Sequence, residues 1–129
     1  MFGDRNVDEA MRLVDDWQAG IEARAARARE LASRLGALTG SARSDDGLVS
    51  VTVGSTGAIT GIELKEGIRD RPADETARAI VATVRAAQAS LTAAATAVTA
   101  ETVGADSETG KAVIASYVSR QASPPPDST

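Results

Sequence analysis

The stretch Gly47-Leu-Val-Ser-Val-Thr-Val-Gly-Ser-Thr-Gly-Ala-Ile-Thr-Gly-Ile-Glu-Leu64 decides the fold. Over residues 47–53, Val49, Val51 and Val53 alternate with Ser50 and Thr52. That two-residue period marks a strand with one apolar face. Gly54-Ser-Thr-Gly57 reads as a turn, and residues 58–64 read as a second strand with Ile62 and Leu64 on one face. Upstream, Ser41-Ala-Arg-Ser44 followed by Asp45-Asp-Gly47 predicts a short first strand and a tight turn. The product is a three-stranded antiparallel meander.

Helical patterns flank the meander on both sides. Residues 6–38 predict one long amphipathic helix, with Asn6 as N-cap and Glu9 returning to it. Val7, Val14, Ile21, Ala28 and Leu35 repeat by sevens, and Ala10, Trp17, Arg24, Leu31 and Leu38 form the second register. Only Arg24 interrupts this coiled-coil seam. At roughly 50 Å such a helix outruns the rest of the chain and calls for a partner helix, most simply its own copy. Gly20 inside the pattern is a local weak point. Pro72 opens a second helix running to Val103, with Asp74 and Glu75 in its first turn and Gly104 as its stop. In it Ala77, Val84, Leu91 and Val98 are spaced by sevens, beside Ile80, Ala87 and Ala94. Residues 107–121 predict a third helix striped by Val113, Ile114, Tyr117 and Val118, and residues 123–129 a disordered Pro-rich tail. The fold class is therefore α+β, in the order α-β-β-β-α with a helical C-terminal extension.

Composition narrows the chemistry. Of 129 residues, 26 are Ala, which leaves few large side chains and favours closing a core by oligomerisation. There is no Cys and no His, which removes thiol chemistry, the usual neutral-pH proton shuttle and the commonest transition-metal ligand. No cofactor is expected, and no enzyme. The adjacent acids Asp15-Asp16, Asp45-Asp46 and Asp74-Glu75 splay apart on a helix and do not converge on one ion. Gly104 to Ala112 resembles a P-loop only superficially: its spacing is wrong by one residue, Ala112 replaces the Mg²⁺-binding hydroxyl, and no strand precedes it. No 18-residue apolar run exists, and Asp4, Asp8 and Glu9 interrupt any signal-peptide core, so a cytoplasmic protein without a membrane partner is expected.

Net charge is −4, but it is divided along the first helix. Residues 4–22 hold six acids and two arginines, whereas residues 23–43 hold Arg24, Arg27, Arg29, Arg34 and Arg43 against Glu30 alone. Arg27 and Arg34 flank the apolar seam, and neither a parallel nor an antiparallel copy offers them an acidic partner there. Two readings stand: a phosphate-binding stripe, or structural charge paired with acids of the second helix or hairpin. Trp17, the only Trp, reads as a dimer core residue or as an anchor for another protein.

Residues 47–64, with the order of elements around them, resemble the YbaB/EbfC family over roughly residues 7–100. The resemblance implies an intertwined homodimer with tweezer-like helices that binds double-stranded DNA with little sequence specificity and organises the nucleoid. It divides the chain into a YbaB/EbfC-like domain at 1–104, a helical extension at 105–122 and the tail at 123–129. On it, Arg24, Arg27, Arg29, Arg34 and Arg43 are the expected DNA-binding residues. Val14, Trp17, Ile21, Leu31, Leu35, Val49 and Val51 form the expected dimer interface. The first helix is Ala/Arg-rich with an acidic beginning, where family members are commonly Met/Gln/Lys-rich. In that it resembles divergent actinobacterial relatives found near type VII secretion loci. The rival reading is accordingly an adaptor that binds another helical protein and no DNA. A helical hairpin of the WXG type is disfavoured by the strands at 47–64.

Overall fold

The computed structural model describes residues 2–122, so the tail expected at 123–129 lies outside the described residues. Helix α1 spans Phe2–Gly36, about 52 Å of α-helix. It starts four residues before the expected cap, so Asn6 lies inside the helix and does not begin it. It also stops short of Leu38: Ala37 and Leu38 donate to the carbonyls of Arg34 and Leu35, which tightens the last turn. The seam therefore loses its final member, and Leu38 packs against the core from the linker.

Three strands follow, β1 (Gly40–Arg43), β2 (Val49–Val53) and β3 (Ile59–Leu64), antiparallel in the order β1-β2-β3. β1 lies one residue upstream of the expected 41–44: Gly40 already pairs with Val53, and at the other end Ser44 enters the turn, its amide still donating to Val49 O. The Ser44 Oγ accepts from the Val49 amide and donates to Asp46 Oδ1, while Gly47 adopts φ +75. Across β2 and β3, Val49 faces Leu64, Val51 faces Ile62 and Val53 faces Ile59, with a register shift between Thr52 and Val53. That irregularity adds one residue to β3 and reverses the parity of Ile59. Ile59, Ile62 and Leu64 thus share the face of the three buried valines, whereas strict alternation gives only Ile62 and Leu64.

A short 3₁₀ turn, Glu66–Asp70, leads to helix α2 (Ala73–Thr102), capped by Pro72. The turn carries no apolar period and was not expected from the sequence. α2 buries Thr83, Ala87, Leu91, Ala95, Val98, Thr99 and Thr102, a row advancing mostly by fours. Small side chains in this row let the helix lie directly on β1. A Cβ on Gly40 would collide with the Ala87 carbonyl and the Leu91 backbone. The buried threonines satisfy themselves within the helix: Thr83 donates to Ala79 O, Thr99 to Ala95 O and Thr102 to Val98 O. α2 covers β1 and β2 and leaves β3 open. The core is Val49, Val51, Val53, Ala87, Leu91, Ala95 and Tyr117.

Helix α3 (Glu108–Ala122) returns along α2 and buries Tyr117, with Val113 packed against the core. Val118, expected on its apolar stripe, is exposed. The segment that mimics a P-loop is a helix-to-helix joint. Gly104, at φ +86, donates to Thr99 O to close α2, and Ser107 Oγ accepts from the Gly110 amide to cap α3.

Candidate nucleic-acid interface

The basic half of α1 emerges from the protein body where the helix meets α2. Leu31 is buried there and Leu35 half-buried. At about 100° per residue, Arg24, Arg27 and Arg34 lie on the side of the helix that carries Leu31, and Arg29 lies nearly opposite Arg27. The five arginines are therefore not one stripe. Arg34 is tied down, its guanidinium 2.7 Å from Glu101 Oε2 of α2. This is the structural pairing that the sequence left open. Arg24 donates its Nε–H to Gly20 O at 3.3 Å, a contact within its own helix that leaves its charge uncompensated. Arg27, Arg29 and Arg43 are exposed and form no ion pair with a described residue.

Arg43 is separated from the helical arginines by the linker and stands at the end of β1. There it lines an open groove with Ser44, Asp45, Asp46 and Arg71, floored by Ala79, Ala82, Thr83 and Ala86 of α2. Arg71 joins this groove from the loop before α2 and pairs with Asp46 at 3.0 Å. The Leu48 amide, the Ser44 hydroxyl and Arg71 together hold the Asp46 carboxyl below the usual carboxylate range. Arg71 and the exposed Arg85 were not among the expected site residues. Both lie outside the locally basic segment, and only the fold brings Arg71 beside Arg43.

The expected dimer interface separates into two sets. Leu31, Val49 and Val51 are buried within this protomer, so α2 and the sheet account for their burial without a second chain. Leu35 packs against the same core. Val14, Trp17 and Ile21 remain exposed. The sheet contributes a surface that the alternation rule did not complete, the row Ile59, Ile62 and Leu64, each more than 40% exposed beside fully buried valines. Among the described residues no group of three or more His, Cys, Asp or Glu could hold a metal ion, and no helix is long and apolar enough to cross a membrane.

A long helix, a three-stranded antiparallel meander and a second helix, with exposed arginines near the helix–sheet junction and an open apolar sheet edge, make this an α+β module. The chain belongs to the YbaB/EbfC DNA-binding family, whose model matches residues 4–106. No curated protein and no solved structure matches it. The match takes in α1, the meander and α2, and ends before α3.

Proposed function

We propose that this protein is a non-enzymatic, nucleoid-associated protein of the cytoplasm. It binds double-stranded DNA as a homodimer and with little sequence preference. Membership of a DNA-binding family supplies the class. The observation that carries the residue-level reading is the set of exposed, uncompensated arginines Arg24, Arg27, Arg29 and Arg43 around the junction of α1 with the body. Arginine on phosphate needs no base contact, so affinity follows charge and salt, not sequence. We leave Arg34 out of the main contacts, because its guanidinium already pairs with Glu101.

The homodimer is supported by the apolar row on β3. Ile59, Ile62 and Leu64 continue the core face of the sheet past the edge of α2, where a second copy would cover them. The test is binding to random-sequence duplex DNA as salt is raised. Steep weakening with salt, unchanged when the sequence is scrambled, supports the reading. No binding by the folded protein at about 50 mM salt, where phosphate contacts are strong, overturns it.

A further inference from the structure

The first half of α1 belongs to neither the core nor the basic surface. Val7, Met11, Val14, Trp17 and Ile21 are 51%, 60%, 55%, 65% and 41% exposed on one side of a continuous helix. They occupy the seam registers and one flank of the heptad pattern, ahead of the point where Leu31 meets the body. The β3 row lies at the far edge of the sheet from β1, and neither apolar surface covers the other.

The charges on this arm say what fits it. Asp8, Glu9, Arg12, Asp15, Asp16 and Glu22 all fall at outer heptad positions. Within residues 7–21 the positions bordering the seam are Met11, Leu13, Gln18 and Gly20, none charged. A partner chosen by charge would meet carboxylates beside the seam, as coiled coils select partners at those flanking sites. Here the contact face is neutral and its acids point away, so a second arm meets no like charge across the seam. Antiparallel pairing within the arm sets Val7 against Trp17 and Ala10 against Val14, small beside large, leaves Arg24 outside the seam, and places the two protein bodies at opposite ends where they do not collide.

We propose that the arm, residues 7–21 of α1, is a second self-association surface that pairs antiparallel with the arm of another copy. It is distinct from the β3 face and joins one dimer to the next. The inference rests on the homodimer reading above. It gives the protein two self-interfaces, so that one DNA-bound dimer can be linked to a second through their arms.

The experiment combines solution mass with the fluorescence of Trp17, the only Trp in the chain. The wild type is expected as a dimer of dimers that falls to dimer on dilution, with Trp17 emission moving to the red as the arms separate. Val14→Glu should give a dimer at all concentrations, with red emission and an unchanged helical signal. Ile62→Glu, which attacks the sheet row, should lose the dimer while retaining pairs held by blue-emitting arms. DNA affinity at equal concentrations of dimer is read separately by salt titration. A wild type that never exceeds a dimer overturns the proposal. So does Val14→Glu reduced to monomer, which would make the arm the primary interface. Either result leaves the DNA reading standing, because that depends only on the titration.

Discussion

Replacing Arg27 and Arg34 one at a time separates a phosphate contact from a structural ion pair. The two residues are seven apart on the same side of α1, so sequence alone treats them as equivalent. Arg34 is held 2.7 Å from Glu101, whereas Arg27 has no ion-pair partner among the described residues. Each neutralised phosphate adds about 0.9 to the slope of log affinity against log salt, equivalent to about eightfold in affinity at 0.1 M relative to 1 M. A homodimer carries each arginine twice. Arg27→Ala should therefore lower the slope by about 1.8 if both copies touch DNA, and by about 0.9 if one does. Arg34→Ala should leave the slope within error and cost at most about 1 kcal/mol of stability, since the pair is largely solvent-exposed. Glu101→Gln should do the opposite: it frees Arg34 and should strengthen binding at low salt. Fluorescence anisotropy on one random duplex over a salt series reads all three variants. Equal slope changes for Arg27→Ala and Arg34→Ala would refute the assignment, as would a Glu101→Gln variant no tighter than wild type.

Other consequences are more local. Gly40→Ala drives a Cβ into the Ala87–Leu91 backbone of α2 and should destabilise the fold by about 1–3 kcal/mol in urea unfolding. A wild-type midpoint would mean that α2 does not rest on β1. Gly20 has nothing within 4 Å of an added Cβ, so Gly20→Ala should raise helix stability by about 1 kcal/mol, visible as a higher thermal midpoint. Asp46 has its folded pKa lowered chiefly by the Leu48 amide and the Ser44 hydroxyl. Its stabilisation is therefore complete above the unfolded carboxylate value and is lost as pH falls through the lower folded value. Asp46→Asn should flatten that acid limb of the stability curve while changing little of its shape at neutral pH. An acid limb identical to wild type would remove Asp46 from the turn's energetics.

The meander was legible because its signals are local. Alternating valines, Gly-containing turns and the Asp-Asp-Gly stretch each reflect backbone constraints acting over two to four residues. The parity of Ile59 was not legible, since a one-residue irregularity in the pairing moves it to the apolar face without altering its neighbours in sequence. The heptad seam of α1 correctly marked one long helix with an apolar side, yet it gave no hint that the side is divided. α2 claims Leu31 and Leu35, while Val14, Trp17 and Ile21 are left open, a distinction made by tertiary contact alone. The spacing by sevens found Leu91 and Val98 of α2, but its buried row advances mostly by fours and takes in Thr83, Ala95 and Thr102. These small or polar residues pack because the helix lies close to β1, a closeness that depends on Gly40. For the arginines, composition found the segment, and only the position of Glu101 told the paired residue from the free ones.

An acidic chain can bind a polyanion if its acids lie farther from the phosphates than the salt lets charge be felt. From Asp15 to Arg27 is about 18 Å along α1. At 0.15 M salt the screening length is about 8 Å, so phosphates at the basic half feel little of the acidic arm. At 0.01 M the length is about 30 Å, and the six acids of residues 4–22 repel the same DNA that the arginines attract. Counterion release favours binding more as salt falls, while this repulsion grows in the same direction. The plot of log affinity against log salt should therefore be straight above about 0.1 M and flatten towards 0.01 M. Asp15→Asn/Asp16→Asn should extend the straight region to lower salt without altering the slope at high salt, since neither residue touches phosphate. A wild-type plot that stays linear down to 0.01 M would mean that the arm is not rigidly continuous with the basic half, or that DNA does not sit at the junction of α1 with the body. Trp17 anisotropy distinguishes the two: a mobile arm depolarises, and a rigid one follows the tumbling of the whole protein.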